Sequence, residues 1–344
     1  MLLALEGYEV DIADDSWLNR KYTNVAGDWD DNGVNGRRHG TAQTGKTSSV
    51  TYDLPTLAVV RPRVITGFGL RCLSGSPGGT SQIIIRKAST EQLRLETFAI
   101  NNSFDRGLRI VTGAGTLTIP RGLVSGRWYY IEMDATIHTS TGSVQVWIDN
   151  TSVFSQSGIN TAAAGSNDWD VFRVVLGAGE FFDDHYVLDD QAGLNTRLGP
   201  VVIEGLLPNG DTGFQDWTPS TGTQHFSLVD DLASNIAVGT DRVLEDQITQ
   251  NELFDFPSIV TMPNASQLDG VQVGIIVGMD SSGSRNLVIR FRDTGGGTSD
   301  GSTIAVSGTP TVYNRRVLEQ NPVTVVPFSV ASFNAGMFGV RTVA

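Results

Sequence analysis

The chain reads as an all-β protein made of two sandwich-type domains, and three observations predict this. Between Gly126 and Phe154 apolar and polar residues alternate with a period of two, the signature of strands with one face on a core. The 39 glycines and 12 prolines are spread along all 344 residues, as many short strands joined by tight turns require. No stretch keeps an i, i+3, i+4 apolar stripe through three turns, so long helices are not expected. A hydrophobic content of 40% suffices for real cores, and the length suits two domains better than one. No repeat of fixed period is visible, which sets aside propellers and solenoids.

Taken in order, Ile83-Ile84-Ile85 is a buried-type run, and Leu93, Leu95 and Thr97 alternate with polar neighbours. Arg127 to Ala135 places Tyr129, Ile131 and Met133 on one face and Trp128, Tyr130 and Glu132 on the other. After the turn at Thr139 to Gly142, Val144, Val146 and Ile148 repeat the alternation, and Asp149-Asn150 turns the chain into Val153-Phe154. Val171 to Leu176, the segment from Phe181 to Asp190, and Val201 to Leu207 read as further strands. Turn residues cluster from Asn209 to Gly222, which predicts a first domain over 1–208, a linker over 209–222 and a second domain over 223–344. In the second half Val271 to Met279 and Asn286 to Arg292 read as a hairpin across Asp280 to Gly283, followed by strands at Val312 to Leu318 and Met337 to Val343. Short helical turns are expected only at Ser16 to Tyr22 and Ala331 to Asn334.

The net charge of −13 repels phosphate backbones and no basic stripe offsets it, so nucleic acid is not an expected partner. Cys72 is the only cysteine and sits among Phe68, Leu70 and Leu73, which predicts a buried, inert thiol. Met1-Leu2-Leu3-Ala4-Leu5 has no positive flank and is too short for a signal peptide or a span, so neither secretory export nor membrane insertion is expected.

Catalytic chemistry is sought and not found. The carboxylate runs Asp183-Asp184 and Asp189-Asp190 come nearest to a glycosidase pair, yet adjacent strand residues face opposite ways, so they read as strand-end aspartates in water. His39, His138, His185 and His225 lack metal-ligand spacing, and neither a GxSxG elbow nor a phosphate loop is present. Asp28, Asp30 and Asn32, followed by Gly33, match the first half of a calcium loop, but His39 stands where its bidentate glutamate belongs. An Asx-rich surface turn is the ordinary reading there, with calcium the alternative and no other cofactor expected. Trp128 and Trp147 read as core residues, while Trp17, Trp29, Trp169 and Trp217 lie near loops and are candidate glycan or interface aromatics.

Gly126-Arg127-Trp128-Tyr129-Tyr130-Ile131-Glu132 with Val144 to Asp149 resembles the central hairpin of concanavalin A-like (laminin G-like) jelly rolls. Phe182 to Asp190 resembles the last strand of such domains, and Met1 to Glu9 the opening strand that pairs beside it. The order of segments also resembles structural proteins of tailed-bacteriophage virions. There a lectin-like domain precedes segments like Leu198 to Pro208, Trp217 to Ser220 and Phe226 to Asp231, then a sandwich ending like Phe333 to Val340. The resemblance implies an N-terminal jelly roll, a second, smaller β-sandwich and no catalytic residue. It implies a tail fibre, adhesin or capsid-decoration protein on the virion surface. The expected partners are other virion proteins, further copies of the chain (a trimer by preference) and a host surface glycan. The alternatives are a carbohydrate-active enzyme on the same fold and a cellular lectin.

Overall fold

The structure, a computed structural model, describes residues 1–7, 22–26, 29–31, 43–45, 50–72, 80–100, 105–191, 193–230, 241–259, 268–279, 284–307 and 312–344. The chain divides into two compact units, Met1–Glu204 and Gly205–Ala344.

The first unit is a two-sheet antiparallel sandwich. Its strands are β1 (Leu2–Glu6), β2 (Thr23–Ala26), β3 (Trp29–Asp31), β4 (Gln43–Gly45), β5 (Val50–Asp53), β6 (Arg63–Cys72), β7 (Gln82–Lys87) and β8 (Thr90–Ala99). They continue as β9 (Arg106–Thr112), β10 (Gly115–Leu123), β11 (Trp128–Thr136), β12 (Gly142–Ile148), β13 (Thr151–Ile159), β14 (Val171–Leu176) and β15 (Glu180–Leu188). Among the described residues one sheet runs β13-β12-β11-β6-β15-β4-β3 with β1 also on β15, and the other runs β10-β9-β8-β7-β14-β5-β2. The chain crosses repeatedly between them, as a jelly roll does. The expected pairing of opening and last strands is present, with Glu6 opposite His185 and Leu5 opposite Tyr186.

Alternation accounts for the core. Tyr129, Ile131 and Met133 of β11 and Val144, Val146 and Ile148 of β12 face inward and meet Ile83, Ile85, Leu93, Leu95, Leu108 and Ile110 of the other sheet. Asp149 and Asn150 both have positive φ, +48° and +66°, the conformation that a two-residue hairpin turn needs. Cys72 is buried in the same core, and its thiol is pushed up by burial and by neighbouring Glu180.

The second unit holds β16 (Gly210–Gln215), β17 (Thr218–Pro219), β18 (Val243–Leu244), β19 (Asn251–Asp255), β20 (Val271–Val277), β21 (Ser284–Arg292), β22 (Thr298–Asp300), β23 (Ile304–Ser307), β24 (Val312–Leu318) and β25 (Met337–Val343). Its main sheet runs β16-β19-β25-β21-β22, with β23 also on β21. A two-stranded ribbon, β20-β24, forms a second layer over it. Phe291, Phe328, Phe333 and Phe338 make the centre of this core, with Val271 and Val273 packed onto it. The helical turn α1 (Val330–Asn334) is capped reciprocally by Ser329 and Ser332 and buries Phe333.

Three sequence expectations change here. Residues 209–222 are not a linker, because Gly210–Gln215 pairs with β19 and Thr218–Pro219 with β18. Turn-rich composition does not prevent backbone groups from completing a sheet edge. Val201 to Leu207 forms no ladder, although its apolar residues suit a strand. The hairpin expected from Val271 to Arg292 is absent, since β20 pairs with β24 and β21 with β25. Alternation reveals which face is buried but not which strand lies alongside. The turn proposed at 280–283 and all but Tyr22 of the turn at 16–22 lie outside the described residues.

Candidate functional site

Among the described residues, a dense set of chemically capable side chains lies on the outer face of the eight-stranded sheet, and a bulge in β15 creates it. Asp183 pairs with Gly69 and Tyr186 with Gly67, so one extra residue is inserted in β15 opposite β6. Asp184 takes the left-handed conformation at φ +49°. The bulge lies where the far edge of β15 changes partner, from β4 at Phe181–Phe182 to β1 at His185–Leu188. The extra residue also reverses the side-chain phase. Phe182 and Val187, five positions apart, both enter the inter-sheet core, and Tyr186 is turned to the outer face.

Gly67 then lets Tyr186 cross β6. It stands opposite Glu132 on one side and Tyr186 on the other. A methyl group at Gly67 would lie 2.3 Å from Tyr186 Cε1 and 3.0 Å from Tyr130 Cε1. With no side chain in the way, Tyr186 donates its phenol proton to Glu132 Oε1 at 2.6 Å. We expect Gly67→Ala to cost about 1–3 kcal/mol in chemical denaturation, the usual penalty of overpacking a core.

Residues 197–203 lie across this cluster as a strap. Arg197 Nη1 donates to Glu132 Oε2 at 2.5 Å, and its guanidinium stacks 4.8 Å over the Trp147 ring. The Gly199 N–H donates to Glu132 Oε1 at 2.9 Å, and the Leu198 N–H to the Tyr186 hydroxyl at 3.2 Å. Ile203 N–H reaches Asp184 Oδ1 at 2.7 Å, while Tyr130 donates to the Asp184 carbonyl at 3.0 Å. Glu132 and Tyr186 are both fully buried. Burial, reinforced by the adjacent Glu132 carboxylate, pushes the Tyr186 phenol up. A carboxylate, a phenol and a guanidinium together could do proton-transfer chemistry on a sugar. Here Glu132 accepts three hydrogen bonds from the protein itself, and the strap covers it.

A second buried set lies on the inner side. Glu180 accepts from Arg106 Nε at 3.1 Å and from the Ser81 hydroxyl, which in turn accepts from the Gly177 N–H at 3.0 Å. Burial holds Glu180 above the ordinary carboxylate range, against the pull of Ser81 and Arg106. In the second unit, buried Glu252 meets His225 Nδ1 at 2.7 Å and accepts from the Trp217 backbone N–H at 3.2 Å. Asp211 accepts from the backbone N–H groups of His225 and Phe226, closing that loop.

The sequence-derived candidates fall differently. Trp169 is 1% exposed, and its indole N–H donates to the Arg63 carbonyl at 3.0 Å, so it is a core residue and not an exposed platform. A position after a polar loop suggests exposure, but Trp169 forms a bridge with Arg61 and is covered. Trp217 is half-buried and packs against Leu287, Val306 and Val340. Trp29 and Asp30 are described only as backbone of β3, and Trp17, Asp28, Asn32, Gly33 and His39 lie outside the described residues. Among the described residues no group of three or more His, Cys, Asp or Glu is placed to hold a metal ion. Trp128 and Trp147 are not core but half-buried on the outer face, in phase with Glu132. Asp183, Asp184 and Asp189 are buried and not in water. Against the penalty of burial, the Met1 ammonium at 2.8 Å, the Gln191 N–H and Arg61 at 2.6 Å hold Asp189 below the ordinary carboxylate range. No sequence signal pointed to Arg197, because its partner Glu132 is 65 residues away.

No protein-family model matches the chain, and no curated protein matches it. Among solved structures, an endo-β-1,4-glucuronan lyase from the fungus Trichoderma reesei is 13% identical over 54% of this chain and 95% of that one, with a TM-score of 0.39. The alginate lyase Aly36B is 11% identical over 53% of this chain and 95% of that one, with a TM-score of 0.35. The carbohydrate-binding module CBM66 from Bacillus subtilis is 9% identical over 48% of this chain and 93% of its own, with a TM-score of 0.32.

Proposed function

We propose that this chain is a non-enzymatic structural and adhesive protein of a tailed-phage virion exterior, displayed as a homo-oligomer and presenting its first unit to a host surface glycan. The observation that carries the non-enzymatic reading is the closed Glu132 carboxylate. Its two oxygens already accept from Tyr186, Arg197 and Gly199, and the side chain is buried beneath the 197–203 strap. The virion setting is supported by the resemblance of the segments after Leu198 to those of tailed-phage structural proteins. No described helix is long and apolar enough to cross a membrane.

The second reading, a carbohydrate-active enzyme, is favoured by the chemical make-up of that same cluster, and one assay separates the two. Purified protein is incubated with anionic and neutral polysaccharides, and both binding and chain scission are measured. Binding without scission is expected, unchanged in scission by Glu132→Gln. Scission that Glu132→Gln abolishes would overturn the non-enzymatic reading. Mass analysis of purified virions tests the setting, with many copies per particle expected and absence from particles the contrary result.

A further inference from the structure

We infer that the outer face of the seven-stranded sheet is the glycan-binding surface of the first unit, and that its ligand is a polysaccharide carrying carboxylates. This rests on the glycan reading proposed above and gives it a face and a ligand class. Leu93 and Leu95, Leu108 and Ile110, Phe172 and Val174 all enter the inter-sheet core, so the residues between them point outward. The ladders set those outward residues in two adjacent rows across the sheet. One row runs Asp53, Arg173, Ile84, Arg94, and the other runs Gln82, Glu96, Arg109, Thr118. Arg173 and Arg94 stand two strands apart, about 10 Å. Arg109 follows on the next strand. Guanidiniums repeated across a sheet suit a ligand with anionic groups at repeated intervals, not one isolated anion.

Buried carboxylates hold these arginines in place. Glu96 meets Arg94 Nε at 2.7 Å and Arg109 Nε at 2.5 Å. Asp53 accepts from Arg173 Nε and from its Nη2 at 2.8 Å, and Glu91 takes Arg94 Nη1. Arg109 is fixed from a second side, its guanidinium 5.2 Å from the centre of the Phe98 ring. Gly107 makes room for that ring, since a methyl group there would stand 2.3 Å from Phe98 Cζ. A guanidinium has five N–H donors, and these contacts use only part of each fork. Both Nη atoms of Arg109, Nη1 of Arg173 and Nη2 of Arg94 have no partner among the described residues. The Arg109 side chain is 40% exposed, and those of Arg173 and Arg94 are 24% exposed.

Carboxylate is the anion that such donors fit. A rigid fork meets it edge-on through paired hydrogen bonds, as Arg173 already does with Asp53. Thr116 and Thr118, exposed at the margin of the face, offer hydroxyls to the neutral parts of a sugar. The net charge of −13 narrows the class further. It repels a densely charged polymer such as nucleic acid, whereas a polyuronate carries at most one charge per sugar among uncharged hydroxyls.

Affinity electrophoresis of the purified full chain tests the inference, in gels containing polygalacturonate, hyaluronan, fully methyl-esterified polygalacturonate or dextran. Retardation by the two acids, weakening as salt rises, is expected, and none by the ester, which keeps the sugar and removes the charge. Arg109→Gln leaves Glu96 paired with Arg94 and should weaken retention about tenfold or more. Thr116→Glu with Thr118→Glu should have a similar effect with every ion pair in place. Ser155→Glu, on the other sheet, should change nothing. Unchanged melting temperatures separate lost binding from lost folding. No retention by the acids, equal retention by the ester, or retention indifferent to either change on this face would overturn the surface. Retention by dextran would then leave the glycan reading standing, whereas a chain retained by none of the polysaccharides would remove both.

Discussion

Arg106→Ala is expected to destabilise the first unit by about 3–5 kcal/mol, the cost of leaving one member of a buried ion pair without its partner. Arg106 and Glu180 are 2% and 1% exposed and sit 3.1 Å apart. For a unit of this length that corresponds to a fall in melting temperature of roughly 10 °C. The double change Arg106→Met with Glu180→Gln should recover most of the loss, because no charge is then left in the core. The pH dependence has a definite sign. Burial already raises Glu180 above the ordinary carboxylate range, so the folded chain holds that proton more tightly than the unfolded chain. Such a group contributes its stability fully below the unfolded pKa, about 4.3, and loses it as pH rises through the folded value. Removing Arg106 raises Glu180 further. The deficit of the alanine variant should therefore widen from acid toward neutral pH and narrow on acidification. A deficit that stays constant across this window would mean that Arg106 acts by packing alone.

Glu132→Ala is expected to release the strap and cost about 2–3 kcal/mol, since three donors lose their acceptor in one step. The figure is below that for Arg106 because the Arg197 side chain is 24% exposed and recovers hydration. Amide exchange at Leu198 and Gly199 should accelerate more than exchange in β11, and cleavage by added protease should appear first within 195–203. Glu132→Gln should lose about half as much, because its carbonyl still accepts from Tyr186 and Gly199 while its amide faces Arg197. If exchange in the strap and in β11 rose together, the strap would be part of the cooperative core and not a separately docked segment.

Much of the fold could be read from the chain by local rules. The alternation of Tyr129, Ile131 and Met133 against Trp128, Tyr130 and Glu132 assigns inner and outer faces of β11 correctly, because neighbouring side chains in a strand must point opposite ways. Asp149-Asn150 marks its turn because those residue types tolerate positive φ. The candidate site was far less legible. Asp183 and Asp184 read as solvated strand-end residues but are buried, and the bulge at Asp184 breaks the alternation before Tyr186 and Val187.

By itself, then, the sequence determined the all-β class, most strand positions and the burial of Cys72, each a consequence of period, turn chemistry or local composition. Only the tertiary structure decided that Gly67 opens a passage for Tyr186, that Arg197 closes over Glu132, that Trp169 is core, and that β20 pairs with β24 instead of β21. The physical reason is shared by all four. Each depends on which distant segment lies alongside, and a two-residue period records that a face is covered without recording what covers it.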